Sequence, residues 1–251
     1  REPAAGLIRL LNERGRAGAW TVAVDIPSGL NGDSGAADGE AVRADATVTM
    51  GMPKTGLAVG RGPACCGPVT VVDLGFSETM MESVDDLPGR RLITAASIRG
   101  QQTRRPFDAH KGGYGHVLLI GGAAGYPGAI ALAARAALRS GAGLVSTACP
   151  ESLQGTVAAA APEAMVHGLP ETPQGSLAAD ALGTLDLTDY DAVLAGPGMT
   201  THQATASLIA RLAAARRPPL VLDADALNVL GGLDGLRPSS GPLILTPHPG
   251  E

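Results

Sequence analysis

From residue 117 onward one pattern repeats: a short apolar run, a turn of glycine and proline, then a stretch of helix-forming residues. The runs 117–120, 144–147, 192–195, 220–222 and 243–246 read as strands. Residues 127–139, the segment starting at Glu151 and residues 203–215 read as helices. Strands joined by helical crossovers pair in parallel and are covered on both faces, and such sheets meet ligands at the carboxyl ends of their strands. An α/β fold is expected, with its chemistry in the turns that follow the strands.

The earlier part differs. Residues 21–26, 46–51 and 69–74 read as buried strands with no long amphipathic helix after Asp25, as if they close a sheet whose first strands lie elsewhere. Residues 77–91 mix acidic residues, methionine and Pro-Gly without periodicity. The expected division is therefore 1–78, a linker at 79–91, and 92–251. The chain opens at Arg1 without methionine or a leader-like segment, and it closes on Pro249-Gly250-Glu251 directly after an apolar run. Both ends are expected to be cuts in a longer protein.

Composition narrows the function classes. At 251 residues, one or two domains fit, and 35 glycines with 2% aromatic residues suit an enzyme built from tight βα turns. A formal charge of −5 lacks the basic footprint that phosphate neutralisation requires, so a nucleic-acid partner is not expected. Arg99, Arg104 and Arg105 read as a solvated loop. Cys65, Cys66 and Cys149 have neither metal-ligand spacing nor a disulfide framework, which suits the cytoplasm. The apolar stretch 117–149 is interrupted by Arg135 and Arg139, so no membrane span is expected.

Five segments carry candidate chemistry. In Val24-Asp25-Ile26-Pro27-Ser28-Gly29-Leu30-Asn31-Gly32-Asp33 a strand delivers Asp25 to its carboxyl edge, where it could act as acid or base, and the surrounding oxygens could hold a cation. The alternative is a turn rich in Asn and Asp. In Lys111-Gly112-Gly113-Tyr114-Gly115-His116 and onward to Gly128-Ala129, glycines join a strand to a helix whose positive end suits a phosphate. The spacing matches neither the dinucleotide fingerprint nor the P-loop, and close packing is the competing explanation. Gly196-Pro197-Gly198-Met199-Thr200-Thr201 precedes a helix that Thr200 or Thr201 could cap. In Leu222-Asp223-Ala224-Asp225-Ala226-Leu227-Asn228, Asp223 ends a strand and Asp225 could cap the next helix. The pair could also hold magnesium. In Thr246-Pro247-His248-Pro249-Gly250-Glu251, two prolines hold His248 at a strand mouth.

Taken in order, these segments resemble the bifunctional NAD(P)H-hydrate repair enzymes. The Asp25 segment is similar to a late motif of the epimerase. The remaining four, with Ala161-Pro162-Glu163-Ala164-Met165, are similar to the ribokinase-like dehydratase. The resemblance implies the C-terminal part of a Rossmann-like epimerase domain followed by a ribokinase-like domain truncated at its C-terminus. It implies substrates NADHX and NADPHX, the forms hydrated at C6 of the nicotinamide ring. ADP or ATP is the implied co-substrate, with potassium and magnesium as cofactors, and a cytoplasmic homo-oligomer is the expected state. By the same resemblance Asp25 is the ligand-contacting acid or base of the epimerase and Ser28 a potassium ligand. Ala129, Gly198, His248 and the nearby Asp223 line the hydrate pocket of the dehydratase. The epimerase's Gly-Asn-Asn-Gly-Gly-Asp loop and the dehydratase's Gly-Thr-Gly-Asp, which carries its base, are both absent from these 251 residues. Little or no activity is therefore expected of this piece alone. The competing readings are a vitamin or sugar kinase of the same fold and a non-catalytic ligand-binding protein.

Overall fold

A computed structural model describes residues 2–77, 79–80, 91–101, 104–214, 218–231, 241–248 and 250–251. The chain divides into two compact units, Arg1–Thr103 and Arg104–Glu251. Most of the expected linker, 79–91, lies outside the described residues.

In the first unit three parallel strands, β1 (Val22–Val24), β2 (Ala46–Met50) and β3 (Val69–Val72), pair in sequence order. They are shorter than the apolar runs suggest. The strand β3 is exposed throughout, whereas buried strands were expected. A helix at Glu2–Arg16, which the sequence reading did not identify, precedes them. Its Asn12 side chain donates to the Ala41 carbonyl at 3.0 Å and accepts the Arg43 N–H at 2.8 Å, so the helix is fastened to the segment that leads into β2. The core beneath the turns holds Leu30, Ala41, Leu57, Cys65 and Cys66, both cysteines free.

The second unit is a six-stranded parallel sheet in the order β6-β5-β4-β7-β8-β9. Its members are β4 (His116–Ile120), β5 (Leu144–Pro150), β6 (Met165–Leu169), β7 (Ala192–Ala195), β8 (Leu220–Leu222) and β9 (Leu243–Leu245). Side chains alternate across a strand, and both faces of β4 are buried. Leu119 packs with Ile130, Ala134, Val145 and Val157 on one side, while Leu118 and Ile120 pack with Val193, Leu208 and Ile209 on the other. The first face is covered by the helix Pro127–Ser140. Pro127 opens it where no N–H is needed, and Gly141, at φ +102°, closes it in the left-handed conformation. Burying Ile130 fully contributes about 1.5–3 kcal/mol to that contact. The helix Gln203–Ala214 supplies Leu208, Ile209 and Leu212 to the opposite face.

The chain runs outward from β4 through β5 to β6, then returns to the far side of β4 and continues through β7, β8 and β9. The order therefore reverses between β4 and β7, the place where open α/β sheets leave a crevice at the strands' carboxyl ends. Among the described residues no helix is long and apolar enough to cross a membrane.

Candidate functional site

The reversal point is lined by glycine because nothing larger fits. The N–H of Gly122 after β4 donates to the Pro197 carbonyl after β7 at 2.8 Å, and that of Gly196 donates to the Ile120 carbonyl at 3.2 Å. A Cβ on Gly121 would stand 2.5 Å from the Pro197 oxygen, and one on Gly196 would stand 1.7 Å from the Asp223 oxygen. Gly198, at φ +66°, approaches the start of the helix Pro127–Ser140 so closely that an added Cβ would meet the Ala129 Cβ at 2.9 Å and the Tyr126 oxygen at 3.0 Å.

Two candidates from separate segments, Ala129 and Gly198, are thus neighbours, and Asp223 stands one strand tip away. The Asp223 carboxylate accepts the Thr246 hydroxyl of the β9 tip at 2.7 Å. His248 lies two residues beyond, exposed, with its Nε2 3.2 Å from Glu251 and its Nδ1 accepting the Gly250 N–H at 2.9 Å. Among the described residues no contact ties His248 to Ala129 or Gly198.

Asp225 does not cap its own helix, Asp225–Leu230. Its carboxylate accepts the N–H of Thr200, in the turn after β7, at 2.9 Å. The two acids, separated by Ala224 at φ +50°, hydrogen-bond to different partners on neighbouring strand tips. Among the described residues no group of three or more His, Cys, Asp or Glu could hold a metal ion. Thr200, itself at φ +65°, leaves its buried hydroxyl without a partner and caps no helix. Arg105 is an exposed loop residue, as expected, but it is not without partners. Its guanidinium donates to the Gly141 carbonyl at 2.6 Å and lies 4.0 Å from the Tyr114 ring centre.

The first unit carries a second constellation. Asp25 follows β1 at φ +69°, where its carboxylate forms an ion pair with Lys54. The same oxygen accepts the Thr49 hydroxyl and the Met50 N–H, each at 3.1 Å, at the tip of β2. The Lys54 ammonium holds the carboxyl below its ordinary range, with help from the Met50 N–H and the Thr49 hydroxyl. Sequence reasoning missed Lys54. The available signal was its place after Gly51-Met52-Pro53, in the turn that leaves a strand parallel to the one ending at Asp25.

Ser28 is exposed in the following turn, its carbonyl taken by the Val42 N–H at 2.9 Å. Potassium needs a shell of oxygens. The side-chain oxygen of Asn31 is already shared by the N–H groups of Asp33 and Ser34 and by the Ser34 hydroxyl.

Comparison with known proteins finds a family match in each of the two units. The family model described as NAD(P)H-hydrate dehydratase matches residues 117–251, and that of the YjeF-related protein N-terminus matches residues 1–56. The chain is 44% identical over 98% of its length to a bifunctional NAD(P)H-hydrate repair enzyme of Moorella thermoacetica, covering 46% of that protein. It is 42% identical over its full length to one of Salinibacter ruber, covering 47%. It thus spans about half the length of these relatives. A crystal structure of an ADP/ATP-dependent NAD(P)H-hydrate dehydratase from Bacillus subtilis, co-crystallized with ATP and magnesium, superposes with a TM-score of 0.51 at 30% identity. The match covers 62% of this chain and 52% of that one.

Proposed function

This chain belongs to the NAD(P)H-hydrate dehydratase family, and from that premise we propose that the protein carrying it repairs hydrated NADH and NADPH. Residues 1–78 are assigned to an epimerase that interconverts the two C6 configurations, and residues 92–251 to a dehydratase acting on the S epimer. The observation that carries the reading is the meeting of Ala129 and Gly198 at the sheet's reversal point, the carboxyl edge at which open α/β sheets take their ligands.

In the dehydratase the co-substrate, ADP or ATP, gives up a phosphoryl group to the C6 hydroxyl. The C6–O bond then breaks with phosphate as leaving group, a proton is lost from C5, and the C5–C6 double bond of the dihydropyridine ring is restored. The chain's own part is binding. Small residues at 121, 122, 196 and 198 let the turns after β4 and β7 close on one another, and the helix starting at Pro127 turns its positive end toward the dinucleotide's anionic oxygens. Asp223 and His248 border the same edge as proposed substrate contacts. Asp25 is the proposed ligand-contacting carboxylate of the epimerase. Ser28 is the proposed potassium ligand. Magnesium is taken to arrive with the nucleotide. The cytoplasm is the working compartment of this reading.

The test is recovery of NADH absorbance from the hydrate plus ADP by the intact protein, with release of inorganic phosphate. A small-molecule kinase of the same fold would phosphorylate without releasing phosphate, and that outcome would replace the present reading.

A further inference from the structure

We propose that Lys54 is a positioning residue for Asp25, one that commits a single carboxylate oxygen to the protein and leaves the other, Oδ2, as the only one offered to a ligand's hydrogen-bond donor. This rests on the reading of Asp25 as the ligand-contacting group of the first unit.

Three donors converge on Oδ1: the Lys54 ammonium, the Thr49 hydroxyl and the Met50 N–H. Among the described residues none reaches Oδ2. A surface ion pair that merely neutralises charge gains little and swings freely. Here the lysine is fixed as firmly as the acid. Its three N–H bonds go to Asp25, to the Thr49 hydroxyl at 3.1 Å and to the Met50 carbonyl at 2.8 Å. No proton donor is left over on Lys54 for a substrate, so its role is to orient Asp25, and it does not itself touch the reacting atoms.

The backbone points the same way. Asp25 occupies the left-handed region, a conformation that costs about 1–3 kcal/mol and persists only where surrounding contacts over-determine it. The Asp25 N–H is anchored to the Val48 carbonyl at 2.8 Å, and the three donors hold the other end of the residue. Thr49, which relays between acid and lysine, is completely buried, so the network has a rigid floor. Asp25 itself remains 41% exposed on its side chain, as a ligand contact must. The other charged groups around the pair are few. The turn carrying Asp33 packs through Gly32 against the Lys54 stem, and Arg91 shares with Lys54 the wall of a cavity of about 520 Å³.

The experiment compares Lys54→Met, Lys54→Arg and wild type in the intact protein. Epimerisation of the R hydrate is measured against pH, and dehydration of the S hydrate in the same samples is the control. Lys54→Met is expected to lower the epimerisation kcat by roughly 10- to 100-fold, the scale on which small misplacements act. Its acid limb moves to higher pH while dehydration is unchanged, and Lys54→Arg recovers much of the rate. A Lys54→Met protein with wild-type kcat and an unmoved acid limb overturns the proposal. So does an equal loss in both variants accompanied by a lowered unfolding midpoint. If wild type does not epimerise, the functional reading falls, and positioning is then decided by the Asp25 carboxyl ¹³C titration. A titration unchanged by Lys54→Met overturns it, and a rise toward the ordinary carboxylate value supports it.

Discussion

The carboxylate of Asp225 turns away from its own helix and takes the backbone N–H of Thr200 at 2.9 Å, lashing the tip of β8 to the turn that follows β7. Removing it orphans an N–H in a partly buried turn already strained at Thr200 and Ala224. Asp225→Ala is expected to cost about 1–3 kcal/mol in urea unfolding. Asp225→Asn keeps an acceptor and should cost less. Equal and negligible effects of the two would show that the turn does not depend on this bond.

Two glycines should respond oppositely to alanine. At Gly198 the new methyl meets Ala129 and Tyr126 at a positive φ, so Gly198→Ala should destabilise by about 1–3 kcal/mol and weaken hydrate binding. At Gly155, inside the helix Gln154–Ala160, an added Cβ meets nothing within 4 Å. Gly155→Ala should therefore stabilise by about 0.5–1 kcal/mol. Thermal unfolding of both variants distinguishes a glycine kept for space from one that is merely tolerated.

Cys149 lies fully buried on β5, and loss of hydration pushes its thiol up to about 11 from 9.0. Because the folded state holds this proton more tightly than the unfolded chain, the contribution is complete below pH 9.0. It is lost as pH rises toward 11. Urea midpoints should fall across that window, and the decline should be shallower in Cys149→Ala. At neutral pH a thiol reagent should modify Cys149 only after unfolding.

Asp25→Ala should abolish epimerisation and leave dehydration of the S hydrate intact, since the two activities are assigned to separate units. Assaying each epimer separately checks this, and a simultaneous loss of dehydration would contradict the division of labour.

The second unit was legible because alternation and glycine punctuation dominate it. The strand β7 was read to the residue, and the helix opening at Pro127 was placed correctly. The strand β6 was missed, since His167 and Gly168 interrupt its apolar run and its partner β5 supplies the order that its own sequence lacks. The helix Glu2–Arg16 escaped although Ala4, Leu7, Ile8 and Leu11 recur at helical spacing in the sequence. At the site, Asp25 was visible from its strand-end position. Lys54 was not, because the two are separated in sequence and meet only through the pairing of β1 with β2. The partners of Asp223 and Asp225 were hidden for the same reason, lying on neighbouring strand tips.

The position of β4 also bears on how fast the molecule assembles. This strand acquires β5 soon after synthesis, but its other edge stays bare until β7 arrives, after β6 and two stretches of helix have been laid down. Joining strands so far apart must meet the loop-closure cost before any pairing offsets it, which makes parallel sheets slow to mature. During that delay the waiting edge of β4 is where two half-finished copies would adhere, so refolding yield should fall as protein concentration rises.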